Sequence, residues 1–304
     1  MRQVNPPTLM ADWAGTAPSV RGAYHAVHPL LRDHWTRERG KMLVAAVGPR
    51  GVAHHAVVSA GEFVVIGRHT QCAFRLDDPQ VSLRHLVLRW DLEGEQRRIR
   101  VWDLRTGRPI VTEDHRPTRG VSAEALLFAT LGPYRLVVLP IGDGPPFEQA
   151  DFGFHALPER RFTVDDRPSD VPGWRGSTVT HTRPPIVFGD EPPSGVPSGR
   201  IEVEVPTGRT ERTTSDVQLE RGMLFGRYER CQLWLAGEDR LSRVHLFVVR
   251  VGGVLWAVDT ASSYGTRRNG APVSAIALDG PASLLLAKQC VVRWTPVGVG
   301  PVEA

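Results

Sequence analysis

The sequence predicts an all-β chain built as two antiparallel β-sandwich domains joined by a Pro-rich linker. Three observations carry this. One pattern of residues occurs twice, short apolar runs are cut by turn residues in place of long helical periods, and a proline-dense stretch separates the two copies. A length of 304 residues suits two domains, each large enough to bury a core.

The repeat is the strongest signal. Residues 64–88 read VVIGRHTQCAFRLDDPQVSLRHLVL, and residues 223–249 read MLFGRYERCQLWLAGEDRLSRVHLFVV. Each holds an apolar strand, Gly-Arg, a cysteine four residues later, a short alternating strand, an acidic loop, then Ser-x-x-His leading into a further apolar strand. Gly67 and Gly226 are 159 residues apart and Ser82 and Ser242 are 160, so one residue of loop length separates the copies. Around each copy lie further short apolar runs, among them 41–47, 98–104, 134–141, 201–205, 254–258 and 289–294. Asn269-Gly270 predicts a tight turn. No segment past residue 40 keeps a helical period for three turns, which excludes a parallel α/β sheet.

The copies are expected at 41–140 and 200–298. Between them, 141–199 reads as linker, with ten prolines over residues 141–200. Two apolar patches in it, 152–164 and 186–188, are expected to dock on a neighbouring domain. Residues 1–40 read as an arm, with one short helix over His28 to Arg39.

Composition excludes several functions. The net charge of +4 invites a nucleic-acid reading, but the arginines are scattered among 33 acidic residues and form no basic run. Only Lys41 and Lys288 are lysine, the skew of a GC-rich bacterial genome. No apolar stretch approaches the roughly 18 residues of a membrane span, and no secretory signal is visible, so a cytoplasmic protein is expected. Cys72, Cys231 and Cys290 lack metal or disulfide spacing, and the first two read as small buried hydrophobes. His54-His55 and His25 with His28 lack acidic or cysteine partners at metal spacing, so neither metal nor cofactor is expected. A P-loop and a GxSxG elbow are absent, and the prolines of GDGPPF at Gly142 spoil a dinucleotide loop, so no enzyme is expected.

The motifs resemble the forkhead-associated (FHA) family, a phosphothreonine-reading β-sandwich with its binding loops at one end. The family pattern is Gly-Arg, Ser-(Arg)-x-His, Asp-x-x-Ser-x-Asn-Gly-Thr, then Asn-Gly. The resemblance covers about two thirds of the chain and implies two FHA-like domains. It also implies partners that carry phosphothreonine: serine/threonine protein kinases or their substrates. A phosphothreonine brings nearly two negative charges and three acceptor oxygens, so its reader needs a guanidinium fork and hydroxyl donors. In the second copy Arg227 supplies the fork, Ser242 a hydroxyl and Arg243 a second charge. Ser263, Tyr264 and Thr266 form the peptide-facing loop. Tyr264 stands where the family has the Asn that clamps the peptide backbone, and it lacks an amide's paired donor and acceptor. Gly226, His245, Asp259, Gly265, Asn269 and Gly270 are expected to support the site. The two Gly of the Gly-Arg pairs are expected to permit a backbone turn.

The first copy reads as degenerate. Arg68 and Ser82 are its phosphate-binding candidates, with Gly67 and His85 in support. Leu83 replaces the arginine after the serine, and Arg84, one place later in an expected strand, points to the opposite face. Its third motif, Asp103 to Pro109, lacks the Ser-x-Asn-Gly-Thr loop. The expected function is a phosphothreonine-dependent adaptor with the second domain as the reader. The alternative is a degenerate FHA-like scaffold for phosphate-independent docking. Linker residues Thr178, Thr180 and Thr182 are candidates for in-cis binding, because a short tether gives an effective concentration on the order of millimolar.

Overall fold

The computed structural model describes residues 17–142, 149–164, 186–188 and 195–298. The chain divides into two units, Met1–Arg167 and Pro168–Ala304. Each is a sandwich of two six-stranded sheets around one apolar core.

In the first unit one sheet runs, in spatial order, Gly51–Val58, Met42–Gly48, Tyr134–Pro140, Leu127–Leu131, Ile110–Thr112 and Pro117–Thr118. The facing sheet runs Phe162–Val164, Gly120–Glu124, Gln96–Asp103, Leu86–Glu93, Phe63–Gly67 and Phe74–Arg75. The second unit repeats this order apart from one added strand in each facing sheet. Its first sheet is Gly208–Ser215, Pro197–Val205, Cys290–Pro296, Ala282–Leu286, Thr266–Arg268 and Ala271–Val273. Its facing sheet is Ala275–Ala277, Val254–Asp259, Leu246–Val251, Met223–Gly226, Leu233–Leu235 and Ile186–Phe188. Pairing is antiparallel except for one short parallel contact in each unit, Ile66 with Phe74 and Phe225 with Leu233.

The linker prolines thus bracket hydrogen-bonded structure. Phe162–Val164 pairs with Gly120–Glu124 in the first unit, and Ile186–Phe188 pairs with Leu233–Leu235 in the second. These added strands lie at opposite ends of corresponding sheets. The expected linker threonines Thr178, Thr180 and Thr182 lie outside the described residues.

A helix in the first arm is present but begins earlier than His28. It is α1, Val20–His34, with Ser19 Oγ accepting the N–H of Gly22 at 3.1 Å as N-cap. Ala23, Tyr24, Val27 and Leu31 recur at helical spacing and are buried against Leu43, Ala45, Val47, Phe128, Val137 and Leu139. Pro29 falls inside the helix and masks the period that begins before it. A second short helix, α2 (Ala150–His155), adds Phe154 to the same cluster. This cover explains the unbroken apolar run Met42–Gly48, buried at every position: both faces of that strand are packed.

The corresponding strand of the second unit, Pro197–Val205, alternates instead. Its Glu202 and Glu204 accept from Arg293 at 2.6 and 2.7 Å, and Glu202 also accepts from Arg209. A third short helix, α3 (Asp216–Arg221), is closed by a capping box between Ser215 and Gln218. It is under two turns long, too short to leave a helical period. Asn269 and Gly270 have φ of 51° and 80°, so both turn positions of the hairpin Thr266–Val273 are left-handed, as an Asn-Gly turn requires.

Candidate functional site

The site loops lie at one end of each sandwich and share one framework. In the second unit Arg227 N–H donates to Ser242 O (3.2 Å), and Tyr228 N–H to Arg243 O (3.0 Å). In the first, Arg68 N–H donates to Ser82 O (3.0 Å) and His69 N–H to Leu83 O (2.9 Å). Cys231 Sγ reaches Arg243 O and Cys72 Sγ reaches Leu83 O, each at 3.4 Å. Both cysteines are buried, and burial pushes the Cys72 thiol up to about 11, so it stays protonated at neutral pH.

Gly67 and Gly226 serve a different purpose from the expected turn. Neither has positive φ. A Cβ on Gly226 would stand 2.8 Å from Ser242 O and closer still to Arg243 O, and one on Gly67 would meet Leu83 C at 2.9 Å. Glycine is required there because the loop that carries the serine lies directly on the strand.

His245 and His85 tie the loops together. Each accepts on Nδ1 from the N–H of its own site serine, at 3.3 Å from Ser242 and 3.1 Å from Ser82. That leaves Nε2–H to donate across the site, to Gly265 O at 3.2 Å and to Arg108 O at 2.8 Å. Both rings are completely buried. Burial holds His85 down at about 4, so it is neutral.

The third loop is braced by a largely buried carboxylate. Asp259 accepts from Ser262 N–H (2.7 Å), Ser262 Oγ–H (2.6 Å) and Thr266 Oγ1–H (2.7 Å). Ser262 Oγ in turn accepts Gly265 N–H at 3.0 Å. Ser262 was not singled out from the sequence, although the family's Asp-x-x-Ser spacing points to it. Thr266, expected on the peptide-facing surface, is 1% exposed and belongs to this brace. Ser263 and Tyr264 are exposed at the loop tip, and Ser263 N–H donates to Ser242 Oγ at 3.0 Å.

The first unit keeps half of this loop. Asp103 accepts from Thr106 N–H (3.0 Å) and Thr106 Oγ1–H (3.2 Å), so Thr106 takes the place of Ser262. Burial raises the Asp103 carboxyl to about 7. The turn is one residue shorter, and Arg108 O stands where Gly265 O does in the second unit. Erosion therefore begins after Thr106, later than the sequence suggested.

The cations are placed differently in the two units. Arg227 is exposed and donates Nε–H to Leu241 O at 2.8 Å. Arg243 is exposed, and Arg68 is exposed, with no hydrogen bond or ion pair from either side chain among the described residues. Arg84 is buried, 8% exposed, and lies in a bend and not in the expected strand. Its charge acts on Cys72 and His69.

Comparison with known proteins matches one of the two copies. The FHA domain model matches residues 64–123, the copy that reads as the more eroded. Among solved structures the chain is similar to FHA-1 of Rv1747 from Mycobacterium tuberculosis, with 19% identity, TM-score 0.28, and coverage of 33% of this chain and 98% of that one. The FHA domain of CT664 from Chlamydia trachomatis shows 15% identity, TM-score 0.29, and coverage of 33% and 97%. The yeast Dun1 FHA domain, solved with a doubly phosphorylated peptide derived from Rad53, shows 16% identity, TM-score 0.28, and coverage of 36% and 82%. No curated protein matches the chain. Among the described residues no helix is long and apolar enough to cross a membrane.

Proposed function

We propose that the chain is a phosphothreonine-dependent protein-binding adaptor of the bacterial cytoplasm, working in serine/threonine kinase signalling and catalysing no reaction. One observation carries this: Arg227 is anchored through Nε beside Ser242, whose Oγ also joins the Ser263 loop. The exposed Arg227 and the Ser242 hydroxyl then supply the guanidinium and the donor that a dianionic phosphate needs, with the exposed Arg243 next in the chain. Arg227, Ser242, Arg243, Ser263 and Tyr264 are the contact residues of the second unit, and Arg68 with Ser82 those of the first. The partners are phosphothreonine-bearing kinases or their substrates. Titration of the full chain with a degenerate phosphothreonine peptide library, against unphosphorylated controls, tests the reading. Equal affinity for both sets overturns it.

A second reading, phosphate-independent docking, draws on Tyr264 in place of the clamp and on the shortened Thr106 turn. Partner binding that survives phosphatase treatment selects it.

The chain's own linker is a further ligand under this proposal. Ile186 pairs with Leu235 and Phe188 with Leu233, antiparallel to a strand that runs parallel to Met223–Gly226. Ile186 therefore lies at the end of this sheet where Gly226 leads into Arg227. Two strand spacings, roughly 10 Å, separate Val187 from Gly226. Thr182 is four residues ahead of Ile186, a reach of up to roughly 14 Å. Phosphorylation of the chain should weaken binding of an outside phosphopeptide, and the combined Thr178→Ala, Thr180→Ala and Thr182→Ala variant should lose that effect. Equal outside binding by both proteins makes the linker a spacer.

A further inference from the structure

Resting on the phosphothreonine reading, we infer that the two sites select different surroundings of the phosphorylated residue. The second takes a phosphothreonine flanked by further negative charge, and the first takes one flanked by an aliphatic side chain. The residue immediately after the site serine makes this choice: Arg243 in the second unit and Leu83 in the first.

The two positions are structurally the same place. The carbonyls of Leu83 and Arg243 accept equivalent backbone N–H groups, from His69 at 2.9 Å and Tyr228 at 3.0 Å. Both also receive the same cysteine contact at 3.4 Å, and both lie against the glycine of the Gly-Arg pair. With that carbonyl held by the same three contacts in both units, the two side chains leave the backbone from corresponding positions. Leu83 is 36% exposed, and Arg243 is exposed.

The positions two residues before the serine differ in the same sense, Gln80 against an exposed Arg240. Neither Arg240 nor Arg243 makes a side-chain hydrogen bond or ion pair among the described residues. The acidic residues of these loops are Glu229, Glu238 and Asp239. Glu238 is buried and accepts from Gln289 at 2.7 Å, which leaves two exposed carboxylates against Arg227, Arg240 and Arg243. A ligand with a second anion close to the phosphate fits that surface.

The first site keeps what phosphate itself needs. Arg68 is exposed, and the Ser82 hydroxyl has no hydrogen bond among the described residues. The positive charge that the second unit places outside at Arg243 is carried inside, at Arg84, behind the same loop. The outer surface left beside Ser82 is leucine, which gains by covering apolar atoms and leaves a flanking carboxylate without a partner. The phosphate requirement is thus retained while the flanking preference changes sign.

The test uses the full chain with one site disabled at a time. Arg68→Ala leaves the second site and Arg227→Ala leaves the first. Each is titrated with four probes: a phosphothreonine peptide flanked by glutamates, the same peptide flanked by leucines, and the unphosphorylated form of each. The Arg68→Ala chain should bind the glutamate peptide about tenfold more tightly than the leucine peptide, and the Arg227→Ala chain should show the reverse order. Adding Arg243→Leu to the first background, or Leu83→Arg to the second, should shift each order toward the other. Phosphopeptide binding with one order in both backgrounds overturns the inference. Loss of all phosphopeptide binding confined to the Arg227→Ala chain overturns it too, and leaves the second unit as a reader. Absence of any phosphate preference in either background strikes down the phosphothreonine reading itself. Circular dichroism of each variant separates these outcomes from misfolding.

Discussion

Arg227 donates its Nε–H to the carbonyl of Leu241 at 2.8 Å, and Leu241 immediately precedes Ser242. One hydrogen bond thus sets the orientation of the guanidinium against the serine, so the two groups present as a unit. The ordering of a long, otherwise free side chain is settled before a ligand arrives.

Arg227→Ala should abolish phosphopeptide binding by the second unit while leaving it folded. A charge-assisted contact contributes about 1.5–3 kcal/mol, so affinity should fall on the order of tenfold or more. Arg227→Lys should restore little, because a lysine has no Nε–H donor for Leu241 and no fork. Isothermal titration of the folded variants decides it, and wild-type affinity in either variant removes Arg227 from the site.

Tyr264→Asn should raise phosphopeptide affinity severalfold, since an amide offers donor and acceptor together to a peptide backbone. Tyr264 is 56% exposed at the loop tip, so the exchange leaves no cavity. A drop in affinity would identify the tyrosine as a contact in its own right.

Two glycines of the second unit should respond differently to alanine. At Gly226 the new methyl meets backbone at Ser242 and Arg243, which cannot swing aside, and the strand must separate from the serine loop. At Gly265 nothing lies within 4 Å, and the only cost is a φ of +74°. Overpacking costs about 1–3 kcal/mol or more, a left-handed alanine about 1–2. Gly226→Ala should therefore lower the denaturation midpoint further and weaken peptide binding as well. Equal midpoints would show that the loop yields freely.

The first unit holds two buried groups whose titrations oppose each other. His85 has its folded pKa depressed from 6.5 to about 4, so the unfolded chain takes up the proton first. Its contribution is complete above 6.5 and is lost as pH falls toward 4. Asp103 is raised from 3.8 to about 7, so its contribution is complete below 3.8 and is lost as pH rises toward 7. Their atoms are 3.7 Å apart, yet His85 spends its Nε2–H on Arg108 O. The wild-type profile between pH 4 and 6.5 should be shallow. Asp103→Asn should leave the histidine alone, with stability rising across that window, followed by amide exchange of Leu86–Glu93. A profile that falls with pH in this variant would contradict a neutral His85.

Much of this was legible because the signals are local. Ser-x-x-His and Asn269-Gly270 each encode a backbone constraint within a few residues, and both occur as such in the structure. Signals that depend on distant partners were less visible. The role of Gly226 depends on Arg243, which only the fold brings near. Thr106 was passed over because it offers a hydroxyl where the family has serine, and its bond to Asp103 is what equates the two. Helix α1 was placed too late because Pro29 interrupts a period whose meaning comes from the sheet beneath it.

The added strands Phe162–Val164 and Ile186–Phe188 change where this protein can be cut. A fragment beginning at residue 200 would sever Pro197–Val205 within its own ladder and strip the neighbour from Leu233–Leu235. Its naked backbone donors and acceptors would then be free to recruit another molecule's chain, and such a preparation would self-associate. A fragment ending at residue 140 would bare Gly120–Glu124 in the same way. Proline-dense sequence usually advertises a safe place for scissors; in this chain it conceals two seams.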